Sequence, residues 1–343
     1  MIQLDDALRE MVEGYVAILT ALQARHRWTS AGVLRLAAVT VTGLPPEKAV
    51  DDLDAAASVL KRSGAWWGPL ATPLRFVLGG ILARREIDPE RAARALAETL
   101  ALFRKKERLP EGGYTAAIAA FLLVSAANGE PAAEALVDRT AGIADAWAGD
   151  GAVPSGPGDL PLAALHAVRE GEPEAVAERV ASIETALEAR GLKTGEQLAL
   201  AARLLALGSW SGEEAAEAMV RMAEAARAHR IRPRRGLYDE AALLALSGGE
   251  PDRLANGVAT VREALIRWRI GRTRLFGAVT LGEEQVIGIA TGLVLLSRVA
   301  QLERLRGGAE AAALIAARAA LEAQQAAAVA AASTIARTVS RSR

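Results

Sequence analysis

Residues 125–135 read SAANGEPAAEA, and the Gly-Glu-Pro at the centre returns in AVREGEPEAVA (167–177) and LSGGEPDRLA (246–255). Glycine is favoured just past a helix C-terminus, where left-handed φ carries no Cβ clash. Proline is favoured in a first helical turn, where its missing N–H has no intrahelical role. An acid beside it suits the positive end of the helix dipole. The tripeptide therefore reads as helix, tight turn, helix, and it predicts that Pro131, Pro173 and Pro251 each lie in the first turn of a helix.

The same slot recurs with variations at Pro46 (GLPPEKA), at Pro89 (EIDPERA) and at Glu213 (SWSGEEAAEA). The steps between successive slots shorten from 43 to 38 residues along the chain. A fixed period of about 40 residues marks stacked helical hairpins. Before each slot comes a short, very apolar stretch, such as VLRLAAVTV (33–41), YTAAIAAFLLV (114–124) or LALAARLLAL (198–207). After it comes a longer amphipathic stretch. In EPEAVAERVASIETALEARG (172–191), Val176, Val180, Ile183 and Leu187 recur at three- and four-residue spacing. The apolar helices are expected inside, with Leu200, Leu204 and Leu244 in the core, and the amphipathic ones outside.

Composition agrees. Aromatics are 4% of the 343 residues and apolar residues 51%, and alanine, the best helix former, is abundant. The expected fold is all-α: about seven α/α hairpins, as an open solenoid or a closed toroid. Residues 1–307 would form the repeat domain in units of about 42 residues. Residues 308–339 would form an Ala-rich C-terminal helix that caps the array or mediates self-association, and residues 340–343 a disordered tail.

With 41 basic and 41 acidic side chains, any attraction for a charged partner must come from local patches. There is no cysteine, which excludes disulfides and thiolate chemistry and fits a reducing compartment. The acidic start MIQLDDALREMVEG lacks the pattern of a signal peptide, and the most apolar runs are shorter than the roughly 20 residues of a membrane span. The expectation is a cytoplasmic protein without a membrane span. No metal-ligand spacing, Walker loop or nucleophile motif appears, so no cofactor, metal or catalytic residue is assigned.

The connections from each amphipathic helix to the next apolar one are longer and richer: RSGAWWGP (62–69), WAGDGAVPSGPGD (147–159), AHRIRPRRG (228–236) and RWRIGRTRLFGAVTLG (267–282). They are expected on one edge, which becomes the candidate surface: Trp66, Trp67, Arg230, Arg232, Arg234, Arg235, Tyr238, Arg269, Arg272 and Arg274, with Trp147 and Trp268 nearby. Bases at helix ends and acids at helix starts are what the dipole favours. The arginine runs continue past the helix ends, which allows an anion-binding patch. The expected partner is a protein or a small anionic ligand; nucleic acid is allowed by charge, but no binding motif supports it. A second constellation, Asp159, Glu196, Asp239 and Glu283, opens the apolar helices. It reads either as capping and dipole complement or as a carboxylate mouth for an enzyme on a toroid. Arg35, Arg75, His166 and Arg203 sit on the apolar helices, where buried charge requires pairing. The leading function is a non-catalytic helical-repeat binding or scaffold protein, the alternative an enzyme using that mouth.

The succession FVLGGILA (76–83), YTAAIAAFLLV, GLKTGEQLALAARLLALG (191–208) and the tail EAQQAAAVAAASTIA (322–336) resembles an uncharacterised bacterial family, numbered four thousand and three among the domains of unknown function. The resemblance implies an intracellular bacterial helical protein and no particular chemistry.

Overall fold

The computed structural model describes residues 6–63, 69–105, 114–150, 159–169, 172–231, 237–268 and 283–306. These residues carry fourteen α-helices and no strand, so the fold is all-α and built of helical hairpins. The expected C-terminal helix and tail (308–343) lie outside the described residues. The chain divides into two compact units. The first comprises Met1–Glu13, Asp145–Pro154 and Gly171–Arg318, the second Gly14–Ala144, Ser155–Glu170 and Ala319–Arg343.

The second unit holds α2 (Ala31–Val41), α3 (Pro46–Ser63), α4 (Leu74–Arg84), α5 (Pro89–Lys105), α6 (Tyr114–Ala126) and α8 (Leu160–Val168). The first unit holds α9 (Pro173–Ala189), α10 (Glu196–Leu205), α11 (Gly212–Ala228), α12 (Tyr238–Leu246), α13 (Pro251–Arg267) and α14 (Glu283–Arg306). Helices α1 (Asp6–Arg25) and α7 (Glu134–Asp150) contribute residues to both.

The proline slots set most helix starts. Pro46, Pro89, Pro173 and Pro251 each open a helix. At the slot without proline, Ser211 caps α11 in a reciprocal capping box with Glu214; replacing such a cap by alanine costs about 1 kcal/mol. Pro131 departs from expectation. It precedes α7 by three residues: the N–H of Ala132 donates to Thr99 Oγ1 at 3.1 Å, and the helix begins only at Glu134. At the other ends, several helices close by a Schellman motif, in which an N–H reaches back five residues: Ile87 to Leu82 (3.1 Å), Gly129 to Val124 (2.8 Å), Leu192 to Leu187 (3.2 Å) and Ile231 to Ala226 (2.8 Å). The residue that must turn left-handed is Gly191 at one of these ends, but Glu86, Asn128 and Arg230 at others.

The apolar helices are the inner ones, as expected. Every residue of α6 from Ala116 to Ser125 is buried, whereas α5 buries one face through Ala92, Ala93, Leu96, Thr99 and Phe103. Leu204 and Leu244 lie in the core. Leu200, expected in the core, is only half-buried.

The pairing of helices differs from the hairpin that the Gly-Glu-Pro turn suggests. Each outer helix packs against the inner helix that follows it across the long connection: α3 on α4, α5 on α6, α9 on α10, α11 on α12 and α13 on α14. Contact across the short turns is slight for α2 with α3 and for α12 with α13. The turn is thus a corner between helices that pack little on each other. The α3–α4 contact is close because of Gly79 and Gly80. A Cβ on Gly79 would come within 2.9 Å of Ala57 N, and one on Gly80 would collide with Thr40 Oγ1 of α2.

Inner helices pair with inner helices (α2 with α4, α6 with α8, α10 with α12) and outer with outer (α3 with α5, α9 with α11, α11 with α13). The outer layer carries a ladder of polar and charged pairs. The end of one outer helix meets the start of the next through Arg62–Glu90 (3.1 Å), Lys105–Glu134 (3.4 Å), Arg190–Glu213 (2.6 Å) and His229–Asp252 (2.8 Å). Arg25 reaches Asp51 and Asp54 in the same way. Helix dipoles therefore follow one another head to tail, each base answering the next acid. Arginines add a second stitch by donating to carbonyls at the inner-helix ends: Arg91 to Asn128 (2.8 Å), Arg139 to Ala167 (3.3 Å) and Arg179 to Trp210 (2.9 Å).

Candidate functional site

The ladder uses Arg62, Lys105, Arg190 and His229, none of them among the ten candidate residues of the expected surface. At the ends of α3, α5, α9 and α11 one basic side chain lies within 4 Å of an acid at the start of the next outer helix. Of the ten candidate residues, only Arg230 and Tyr238 fall among the described ones; Trp66, Trp67, Arg232, Arg234, Arg235, Arg269, Arg272 and Arg274 lie outside them. Arg230 is the left-handed residue that ends α11, with φ of 59°, and its carbonyl accepts from Arg262 Nη1 at 3.3 Å. Tyr238 is half-buried at the first position of α12.

Trp147 is not part of an exposed edge. Helix α7 runs on to Asp150 and carries the indole into the interior, where it is 4% exposed. The guanidinium of Arg203, on inner helix α10, lies 4.9 Å from its ring centroid. Such a stack is the pairing that buried charge on an inner helix requires. Glu184 of α9 also feels Arg203. Burial first, then repulsion from Glu188, hold the Glu184 carboxyl above the usual carboxylate range, and Arg203 offsets this in part. Arg75 is satisfied differently. It donates to the carbonyls of Ala71 (3.0 Å) and Thr72 (2.8 Å) and lies 4.6 Å over the ring of Phe76.

Among the described residues, exposed large apolar side chains stand at three helix ends, one of them Val168 at the end of α8. In the first unit, Ile266 and Trp268 close α13 and are 56% and 57% exposed, beside Arg267, which pairs with Glu263 at 3.5 Å. In the second unit, Trp28 in the α1–α2 connection is 91% exposed. Two residues earlier in the chain, His26 Nε2 lies 2.6 Å from Asp54 Oδ1 and the imidazole stands 4.6 Å from the ring of Phe76. The sequence reading passed over Trp28, because RHRWTS (25–30) is too short to stand out as a loop. Its signal was a tryptophan flanked by Arg27 and Thr29 just past a helix end.

The four acids of the expected mouth have different surroundings. Asp159 is buried ahead of α8 and Glu196 is exposed at the start of α10. Asp239 is buried in the first turn of α12, its Oδ1 accepting from the Glu240 N–H at 2.9 Å. Glu283 is exposed and 3.6 Å from Arg262. No group of three or more His, Cys, Asp or Glu side chains able to hold a metal ion occurs among the described residues. Nor, among them, is any helix long and apolar enough to cross a membrane.

No family model, curated protein or solved structure matches the chain.

Proposed function

We propose that this chain is a non-catalytic helical-repeat binding or scaffold protein and that its partner surface lies where the outer helices end. The observation that carries this reading is the pair Ile266 and Trp268, left exposed at the end of α13 and continued in sequence by Arg269, Arg272 and Arg274. Tryptophan and arginine are the residues that most often anchor protein interfaces. An apolar anchor followed by a basic run fits an acidic protein segment or a small anionic ligand. On this reading Arg232, Arg234 and Arg235, in the same unit, extend the surface, and the chain is an intracellular member of the bacterial family it resembles.

The test is titration of the full chain with a fluorescent acidic peptide and with polyphosphate, at about 20 mM and about 200 mM salt. Saturable binding is expected, weaker at the higher salt and at least about tenfold weaker after Ile266→Ser with Trp268→Ser, which is the loss of about 1.4 kcal/mol. Absence of binding to either polyanion at low salt would overturn the reading. So would binding that the double variant leaves unchanged.

A further inference from the structure

The chain contains two asparagines, Asn128 and Asn256, and both stand in the tripeptide Ala-Asn-Gly. In Asn-Gly the nitrogen of the following residue reaches the asparagine side chain most easily, because glycine has no Cβ in the way. Both asparagines are exposed. What differs is the backbone around them.

Asn256 lies inside α13, where each N–H is held by the carbonyl four residues back. Its carbonyl also accepts from Thr260 Oγ1 at 2.7 Å, and Gly257 is buried beside Val294. For the Gly257 nitrogen to turn onto the Asn256 side chain, the middle of α13 must unwind. Asn128 stands just past the end of α6, in the left-handed turn of its Schellman closure, at φ of 55°. That conformation is disfavoured for L-residues, although asparagine tolerates it better than most. The Gly129 N–H is held by one bond, to the Val124 carbonyl at 2.8 Å, and the Asn128 N–H by another, to the Ser125 carbonyl at 3.1 Å. A third tie comes from α5, where Arg91 Nη2 donates to the Asn128 carbonyl at 2.8 Å. These few bonds close a helix end, and helix ends open at lower free energy than helix middles. Opening relieves the left-handed strain and frees the Gly129 nitrogen.

We infer that Asn128 is a spontaneous deamidation site, gated by opening of the α6 end, and that α13 protects Asn256 from the same reaction. The Gly129 nitrogen gives up its proton and bonds to Asn128 Cγ. The Cγ–Nδ2 bond breaks and the side-chain nitrogen leaves as ammonia, closing a cyclic succinimide. Water then opens the ring at one or other carbonyl, leaving isoaspartate or aspartate. The balance is one water in and one ammonia out, with no oxidant or reductant. Opening at the main-chain carbonyl leaves isoaspartate. Its free carboxylate is built on the carbonyl that Arg91 already contacts, so the guanidinium gains a charged partner. The main chain then runs through the former side chain, one carbon longer, and the closure on Val124 no longer fits. The partner surface at the end of α13 plays no part in this chemistry.

The experiment holds the full chain at mildly alkaline pH, folded in one sample and unfolded in guanidinium chloride in another. Mass spectrometry follows the tryptic peptides 109–139 and 254–262, which carry the two sites separately. In the unfolded chain both sites are expected to convert at similar rates. In the folded chain Asn128 is expected to convert at least about tenfold faster than Asn256, with isoaspartate as well as aspartate in the product. Arg91→Gln removes the tie to the Asn128 carbonyl; it should speed conversion of Asn128 several-fold and leave Asn256 unchanged. Equal rates at the two sites in the folded chain overturn the inference. So does an Asn128 that stays intact for about a hundred half-times of the unfolded chain. Aspartate as the sole product overturns the succinimide route, because direct hydrolysis of the side chain yields no isoaspartate. An Arg91→Gln chain in which Asn128 converts no faster overturns the gate at the α6 end.

Discussion

The Arg203 guanidinium stacks on the Trp147 ring at 4.9 Å, joining the last turn of α7 to inner helix α10. Both side chains are buried, so the contact lies where cation–π attraction is least screened, and about 2 kcal/mol is a reasonable size for it. Trp147→Ala should lower stability by about 3–5 kcal/mol, since it adds an emptied volume to the lost stack. Trp147→Phe should cost much less, because the ring face remains. Urea unfolding of the three proteins measures this. Equal losses for the two variants would show that neither the ring face nor the volume that phenylalanine keeps supports the fold at this position.

Glu184 gives a pH dependence of definite sign. Its carboxyl is held above its ordinary range chiefly by burial and next by Glu188. Between the unfolded value, about 4.3, and the raised folded value, the native state binds more proton than the unfolded one. Stability in that window therefore falls as pH rises. Glu184→Gln removes the effect. The variant should melt higher than wild type at pH 7, and its advantage should shrink to nothing as pH drops below about 4. A melting difference that does not change with pH would show that Glu184 is not the group responsible.

Glycine substitutions should change sign with position. Gly80 of α4 faces Thr40 of α2, and a Cβ there collides with the hydroxyl that Thr40 already donates to the Ala37 carbonyl. Gly80→Ala should destabilise by about 1–3 kcal/mol, as overpacking does. Gly14, inside α1, has nothing within 4 Å of where its Cβ would stand. Gly14→Ala should stabilise by about 1 kcal/mol through helix propensity alone. Thermal unfolding of both variants tests the close approach of α2 and α4 directly.

What the sequence revealed and what it hid follow from the range of the forces concerned. Helix starts at Pro46, Pro89, Pro173 and Pro251 are local matters of φ and of a missing N–H, and they were legible. So was the burial of α6, whose ten consecutive small and apolar residues leave no polar face. The pairing of α3 with α4 rather than with α2 was hidden, because it depends on the glycines that let two backbones approach across about 25 residues of chain. Trp147 looked like a loop residue because Gly149, Gly151 and Pro154 follow it closely, yet helix α7 persists through Gly149. Pro131 was misplaced as well, and its surroundings were not legible in the local sequence. The Thr99 hydroxyl that claims the next N–H comes from α5, one repeat earlier. For the candidate surface, the basic character of helix ends was legible. Its use in a head-to-tail ladder was not, since each rung joins residues some 23–29 positions apart.

Arg230 offers a test of how the end of α11 is built. It turns left-handed at φ of 59°, where an L-residue with a Cβ is disfavoured by roughly 1–2 kcal/mol. The position is held because the Ile231 N–H closes on the Ala226 carbonyl at 2.8 Å and the Ile231 side chain is then buried. At Gly191 the equivalent turn is made by glycine. Arg230→Gly should therefore raise stability by about 0.5–1 kcal/mol, the relief of strain exceeding the greater freedom glycine gives the unfolded chain. Arg230→Ala keeps the Cβ and should bring no gain. The contrast also bears on the basic surface, because both variants remove the same charge. If polyanion binding at low salt falls equally in the two while only the glycine variant is stabilised, the Arg230 side chain serves the partner and its backbone serves the turn. If binding is unchanged in both, Arg230 leaves the candidate surface and only its left-handed carbonyl, the acceptor for Arg262, remains to be explained.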